Sequence, residues 1–109
     1  LEQLPNFLNL KRRLFKRYRD SFEKIEKVKI FEEPEGCRSN YWLQVLVLDE
    51  SLEKHRDKIL KTTNNAGLMT RPVWKLIHTL TPYRECPCAP LPVAESLARR
   101  LVNLPSSAV

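Results

Sequence analysis

The sequence has 109 residues, enough for one domain around one modest core, and its 42% hydrophobic and 29% charged residues exclude a disordered chain. Nineteen basic against thirteen acidic side chains give a net charge of +6, which keeps polyanions in view as partners. No apolar run reaches the roughly 18 residues that span a bilayer, the opening residues lack the basic-then-apolar order of a secretory leader, and two glycines are too few for a phosphate-cradling loop or a dinucleotide fingerprint.

The first element is a long amphipathic helix within residues 1–25. Phe7, Leu10, Leu14, Tyr18, Phe22 and Ile25 recur every three or four positions and so share one side, which Leu4, Leu8 and Phe15 widen. Lys11, Arg12, Arg13, Lys16, Arg17 and Arg19 fall on its flanks and back, the pattern of a solvated face. Pro5 fits a first helical turn. A short strand is expected over 28–31, followed by the turn residues Glu33, Pro34, Glu35 and Gly36. Residues 41–48 are almost wholly apolar and rich in β-branched and aromatic side chains, as in a central strand covered on both faces. These two strands pair antiparallel in this reading.

Asp49 or Ser51 can cap a second helix running to about Asn64, with Leu52, Ile59 and Leu60 inward and Gly67 just past its end. Residues 68–73 predict a third strand that Pro72 confines to an edge or stops early. A loop rich in proline and aromatics over 74–92 leads to a last helix over 93–102, opened by Pro92 and buried along Val93, Leu97 and Leu101. The sum is an α+β fold, a small and mainly antiparallel sheet with helices packed on one face. The chain opens at Leu1 rather than Met and closes within Leu104, Pro105, Ser106, Ser107, Ala108 and Val109, so both ends are expected to be cuts from something longer.

Chemistry-bearing residues are sparse. Cys37, Cys86 and Cys88 are odd in number, which suits free thiols in a reducing, cytoplasmic setting. Cys86 and Cys88 stand too close for a zinc knuckle and have no second pair, so no metal is expected. His55 lies among Glu53, Lys54, Arg56 and Asp57 and reads as solvated. His78 follows Arg71 and Trp74 in one stretch that concentrates a guanidinium, an indole and an imidazole. Arginine suits bidentate contact with phosphate or carboxylate, and histidine can add a hydrogen bond to the same anion. The patterning leaves a second reading open, in which Trp74 packs beneath the loop and Arg71 pairs with a nearby glutamate.

At this loop the sequence resembles a known family. Gly67, Thr70, Arg71, Pro72, Trp74 and His78, followed by Pro82 and Tyr83, are similar to the small-domain signature of the DegT/DnrJ/EryC1/StrS sugar aminotransferases, nearest to those that aminate UDP-linked 4-keto sugars. Leu1 to Phe7 with Lys11, Arg12 and Arg13 resemble the helix that links the family's two domains. Ser39, Asn40, Tyr41 and Trp42 resemble its central strand, while Leu91 to Glu95 and Asn103 to Ser107 resemble its last helix and closing Leu-Pro-Ser. The loop departs from many relatives at Leu76, where they carry proline.

The resemblance implies that residues 1–109 form a C-terminal small domain, cut from a large domain whose lysine holds pyridoxal 5'-phosphate. It implies amino transfer from an amino acid, glutamate above all, to a nucleotide-linked keto sugar for surface glycans, by a cytoplasmic homodimer with no nucleic-acid, membrane or metal partner. The isolated piece is then inactive. Arg71, His78, Trp74 and Asn40 are the substrate contacts it implies. From the residues alone, a basic nucleic-acid-binding module using the Lys11–Arg19 cluster, or an interaction domain using the apolar stripe, remains open.

Overall fold

The computed structural model of the protein describes residues 2–107, so Leu1, Ala108 and Val109 lie outside the described residues. Helix α1 (Leu4–Phe22) carries Pro5 in its first turn, where a missing N–H costs nothing. The side it turns toward the sheet carries Phe15, Tyr18 and Phe22, and only Phe15 is fully buried, at 4% exposure. This side is rotated from the expected stripe, leaving Leu4 and Phe7 exposed. Ile25 lies beyond the helix and is exposed, its N–H closing a 3.0 Å turn on the Phe22 carbonyl.

Lys27 takes a positive φ of 65° and redirects the chain into β1 (Val28–Ile30), which pairs antiparallel with β2 (Gln44–Leu48) in the register Val28 to Leu48 and Ile30 to Leu46. The expected strand began at Tyr41, but Tyr41 sits at φ 47° and cannot be extended there. Residues 39–42 therefore belong to the connection, and β2 starts three residues later.

The second helix is divided. Asp49 accepts from the Ser51 N–H at 2.9 Å and opens a 3-10 turn over Glu50–His55, which passes into α2 (Arg56–Asn65). Gly67 follows at φ 80°, a left-handed position that glycine tolerates. The third strand is shorter than expected: β3 is Arg71–Pro72, and it lies on the edge as Pro72 requires. After two short 3-10 turns, Ile77–Thr79 and Thr81–Tyr83, helix α3 (Pro92–Arg100) runs straight into β4 (Leu101–Leu104).

That last strand corrects the sequence reading, which carried the helix to Val102. Val93 is 71% exposed, and Leu101 is a strand residue rather than the end of a helical stripe. Val102 is completely buried because β4 pairs antiparallel with β2 on one side and β3 on the other. The sheet order is β1-β2-β4-β3, antiparallel throughout, and the α+β architecture is the one expected. One cluster joins Phe15, Ile30, Tyr41, Leu46, Leu48 and Val102, with Leu52, Ile59 and Leu60 packed against it.

Two of the six basic residues of α1 face inward rather than into solvent. Arg12 donates through both terminal nitrogens to the two carboxylate oxygens of Glu33, at 2.9 and 3.1 Å, and to the Ser39 carbonyl at 2.7 Å. Glu33 in turn accepts from the Ser39 N–H. The hydrogen bonds from Arg12, and then the one from Ser39, hold the Glu33 carboxyl below its ordinary pKa.

Phe15→Ala is expected to cost about 3–5 kcal/mol by emptying the space between α1 and the sheet, read as a lower urea midpoint. Glu33 gives a second prediction with a definite sign. A depressed carboxyl pKa contributes stability that is complete above the unfolded value near 4.3 and is lost as pH falls through the folded value. Glu33→Gln should therefore melt lower at neutral pH and show a flatter acid limb in a melting-temperature series.

Candidate functional site

The loop that drew attention in the sequence is fastened at its start by the end of α2. Thr70 is 5% exposed, and its hydroxyl lies 2.5 Å from that of Thr63. The Asn64 amide donates to the Thr70 carbonyl at 2.9 Å and to its hydroxyl at 3.0 Å. With these bonds Thr70 is immobilised, and the next residue, Arg71, projects from a fixed point. Arg71 is exposed and has no carboxylate partner among the described residues.

Arg71 stands across from Asn103 in the β3–β4 register. Asn103 donates to the Pro72 carbonyl at 3.3 Å, while its Oδ1 is buried with no hydrogen-bond partner. Both residues line an open cleft of about 340 Å³ together with Trp74, Met69 and Ser106. Asn103 was not singled out from the sequence as a site residue. Its place in β4 was hidden by the helical spacing of Val93, Leu97 and Leu101.

Trp74 is 68% exposed and does not pack beneath the loop. Its ring lies 5.8 Å from that of Trp42, tilted by 31°, and Trp42 is itself 63% exposed. Trp42 was also missed, because a continuous strand over 41–48 would have buried it. Tyr41 turns inward to stack on Phe15 at 4.2 Å, and the following indole points away from the core. Asn40, exposed and in the connection rather than in a strand, accepts the Trp42 N–H at 2.9 Å. The Trp42 carbonyl accepts from Lys11 Nζ at 3.1 Å and from Ser106 Oγ at 2.7 Å. The same ammonium donates to the Ser106 hydroxyl at 2.8 Å and to its carbonyl. Burial pushes the Lys11 pKa down.

His78 is brought to a different cleft. Its Nε2 lies 3.5 Å from a carboxylate oxygen of Glu95 on α3, in a space of about 490 Å³ also lined by Trp74, Arg56 and Arg99. The two arginines are engaged: Arg56 donates to the Ala98 carbonyl at 2.8 Å, and Arg99 to Glu53 at 2.7 Å. Trp74 is thus a wall common to both clefts, with Arg71 on one side and His78 on the other. Asn40 lines neither and meets them only through Trp42.

Such a surface can bind an anion and a flat apolar group, but no nucleophile is paired with a base. Two lysines lie near these clefts: Lys11 is held by Trp42 and Ser106, and Lys75 lines the His78 cleft with no hydrogen bond or ion pair fixing its ammonium among the described residues. Among the described residues no group of three or more His, Cys, Asp or Glu could hold a metal ion, and no helix is long and apolar enough to cross a membrane.

Comparison with known proteins adds the following. The description of the DegT/DnrJ/EryC1/StrS aminotransferase family matches residues 1–108. The GDP-perosamine synthase of Vibrio cholerae is 29% identical over 107 residues, covering 97% of this chain and 29% of that protein. EpsN of Bacillus subtilis (strain 168), named for a pyridoxal phosphate-dependent aminotransferase, is 30% identical over 79 residues, covering 72% of this chain and 20% of that protein. Among solved structures, DesI in the presence of its TDP-sugar product superposes with a TM-score of 0.87 at 30% identity, over 96% of this chain and 27% of that one. The chain therefore spans less than a third of the length of each relative.

The paired indoles can be tested optically. Trp42 and Trp74 are the only two tryptophans, so the emission should be red-shifted and readily quenched by acrylamide. An exciton couplet in the far-ultraviolet circular dichroism should vanish in Trp42→Phe.

Proposed function

Because the chain belongs to the DegT/DnrJ/EryC1/StrS aminotransferase family, we propose that residues 1–109 serve as the small domain of a longer nucleotide-sugar aminotransferase. In this proposal the whole protein moves an amino group from an amino acid, glutamate by preference, to the C4 carbon of a UDP-linked keto sugar for surface glycan synthesis. It works in the cytoplasm as a homodimer. Pyridoxal phosphate supplies the electron sink for such chemistry, and in this reading the remainder of the protein holds it. By itself this chain is then inactive.

The observation that carries the reading is an arginine that has no carboxylate partner among the described residues, beside an exposed indole and an asparagine oxygen likewise unpaired among them, in one cleft. Arg71 takes the role of diphosphate ligand, since a guanidinium offers two parallel donors to phosphate oxygens. Trp74 shapes the cleft against the sugar or base. His78, oriented by Glu95, donates to the substrate from the neighbouring cleft. Asn40 acts on the same surface by holding Trp42 in place. The exposed apolar flank of α1 at Leu4 and Phe7 gives the rest of the protein a surface to pack on.

The nucleic-acid alternative loses two of its six cations, because Lys11 and Arg12 are committed to internal partners. A flat titration of the chain against DNA and RNA at low salt is the expected result; tight, steeply salt-dependent binding would favour that alternative.

The coding sequence upstream should encode a large α/β domain with a cofactor lysine, and its absence would sink the proposal. In the full-length protein, Arg71→Ala should raise the KM for the nucleotide sugar roughly tenfold to a hundredfold, the loss of one charge-assisted contact, with a smaller change in kcat. A stoichiometric cofactor absorbance in the full-length protein, absent from this chain, is the second expected result.

A further inference from the structure

Cys86 and Cys88 are exposed, carry free thiols, and line one small cleft of about 200 Å³ together with Tyr83, Leu91 and His78. Pro87 lies between them. Two residues separated by one other place their Cα atoms at most about 7 Å apart even in extended chain, which overlaps the roughly 4.4–6.8 Å span of disulfides. The Cys86 N–H closes a 3.1 Å turn on the Tyr83 carbonyl, so the pair follows directly on a turn and lies outside any strand. No helix or strand holds residues 84–91, so the backbone can contract without breaking a ladder of hydrogen bonds. The proline restricts φ and lowers the entropy lost on ring closure.

We propose that Cys86 and Cys88 form a redox-active dithiol whose oxidation to an intraloop disulfide repositions the cleft wall at His78. The oxidant is a small-molecule disulfide. The thiolate of one cysteine attacks it, forming a mixed disulfide and releasing one small thiolate. The second cysteine then attacks the protein sulfur of that mixed disulfide, forming the Cys86–Cys88 bond and releasing the second small thiolate. Two electrons pass from the protein to the oxidant, and the two protein protons end on the two released thiols. So small a ring is strained, and strained disulfides are the readily reduced, reversible ones. Cys37 lies in a separate turn, closed by its own N–H on the Pro34 carbonyl at 3.0 Å, and is an internal reference.

The test uses the chain as it is, treated with oxidised glutathione and followed by mass spectrometry after proteolysis. The expected product is a peptide containing Cys86 and Cys88 that has lost two hydrogens. It should form at least about tenfold faster than Cys37 gains glutathione, because the second step is intramolecular. Cys88→Ser should stop at a single glutathione adduct on Cys86. The His78 imidazole resonances should shift on oxidation of the wild type and not on the same treatment of the double variant Cys86→Ser/Cys88→Ser, which takes up no adduct in this cleft. Two stable glutathione adducts at Cys86 and Cys88, a disulfide between chains, or His78 signals unmoved by oxidation would each overturn the proposal. The thiol chemistry does not depend on the substrate role given to His78, so the two ideas fail separately.

Discussion

The stack of Phe15 on Tyr41 is the contact on which the other arrangements depend. It places an α1 ring 4.2 Å from a ring of the β1–β2 connection, nearly parallel at 18°, with both residues buried. Such pairs add about 0.5–1.5 kcal/mol beyond the area they bury. The Arg12 guanidinium lies 5.3 Å from the Tyr41 centroid while it grips Glu33, so the helix, the ring and the loop are fastened at one node. Tyr41 turns inward with a positive φ. That backbone choice ends the extended region early, sends Trp42 outward, and brings it against Trp74. The core contact and the surface pair are two consequences of one residue's conformation.

The broad architecture was legible because its signals were strong and local. The apolar run at Val45 to Leu48, Gly67 after α2 and the edge position of Pro72 each rest on short-range chemistry and appear as expected, while the Asp49 cap forms on a 3-10 turn ahead of α2. The rotated face of α1 was not legible. A helix with apolar residues on more than one flank does not say which flank its own sheet will cover, and Phe15 wins because Tyr41 is there to meet it. Nor was β4 legible: Leu101 continues a helical spacing, and a four-residue strand is too short for its alternation to compete. Its burial comes from pairing with β2 and β3, partners far away in sequence.

The site residues followed the same division. Arg71, Trp74 and His78 were visible as an unusual concentration of polar and aromatic groups in one loop. The structure separates Arg71 and His78 by the Trp74 wall and supplies two residues the sequence did not mark, Trp42 and Asn103. Both depend on long-range geometry, one on the Tyr41 turn and the other on the β4 register. Among the described residues Arg71 lacks the carboxylate partner that sequence alone allowed, while the histidine has one in Glu95. Neighbouring positions in a loop can therefore differ in how free they are to meet a ligand.

The edges of the sheet carry a last consequence. Pro72 occupies half of the two-residue outer strand β3 and has no N–H to offer, and at the opposite margin Lys29 stands in the middle of the three-residue β1. A template for strand addition needs an uninterrupted row of donors and acceptors on a flat margin, and proline and lysine are residues that deny it. Both margins are also shorter than the five- or six-residue segments from which cross-β stacks are usually built. Misassembly of this chain at high concentration should consequently proceed through its exposed apolar side chains and give amorphous, detergent-soluble material rather than fibrils.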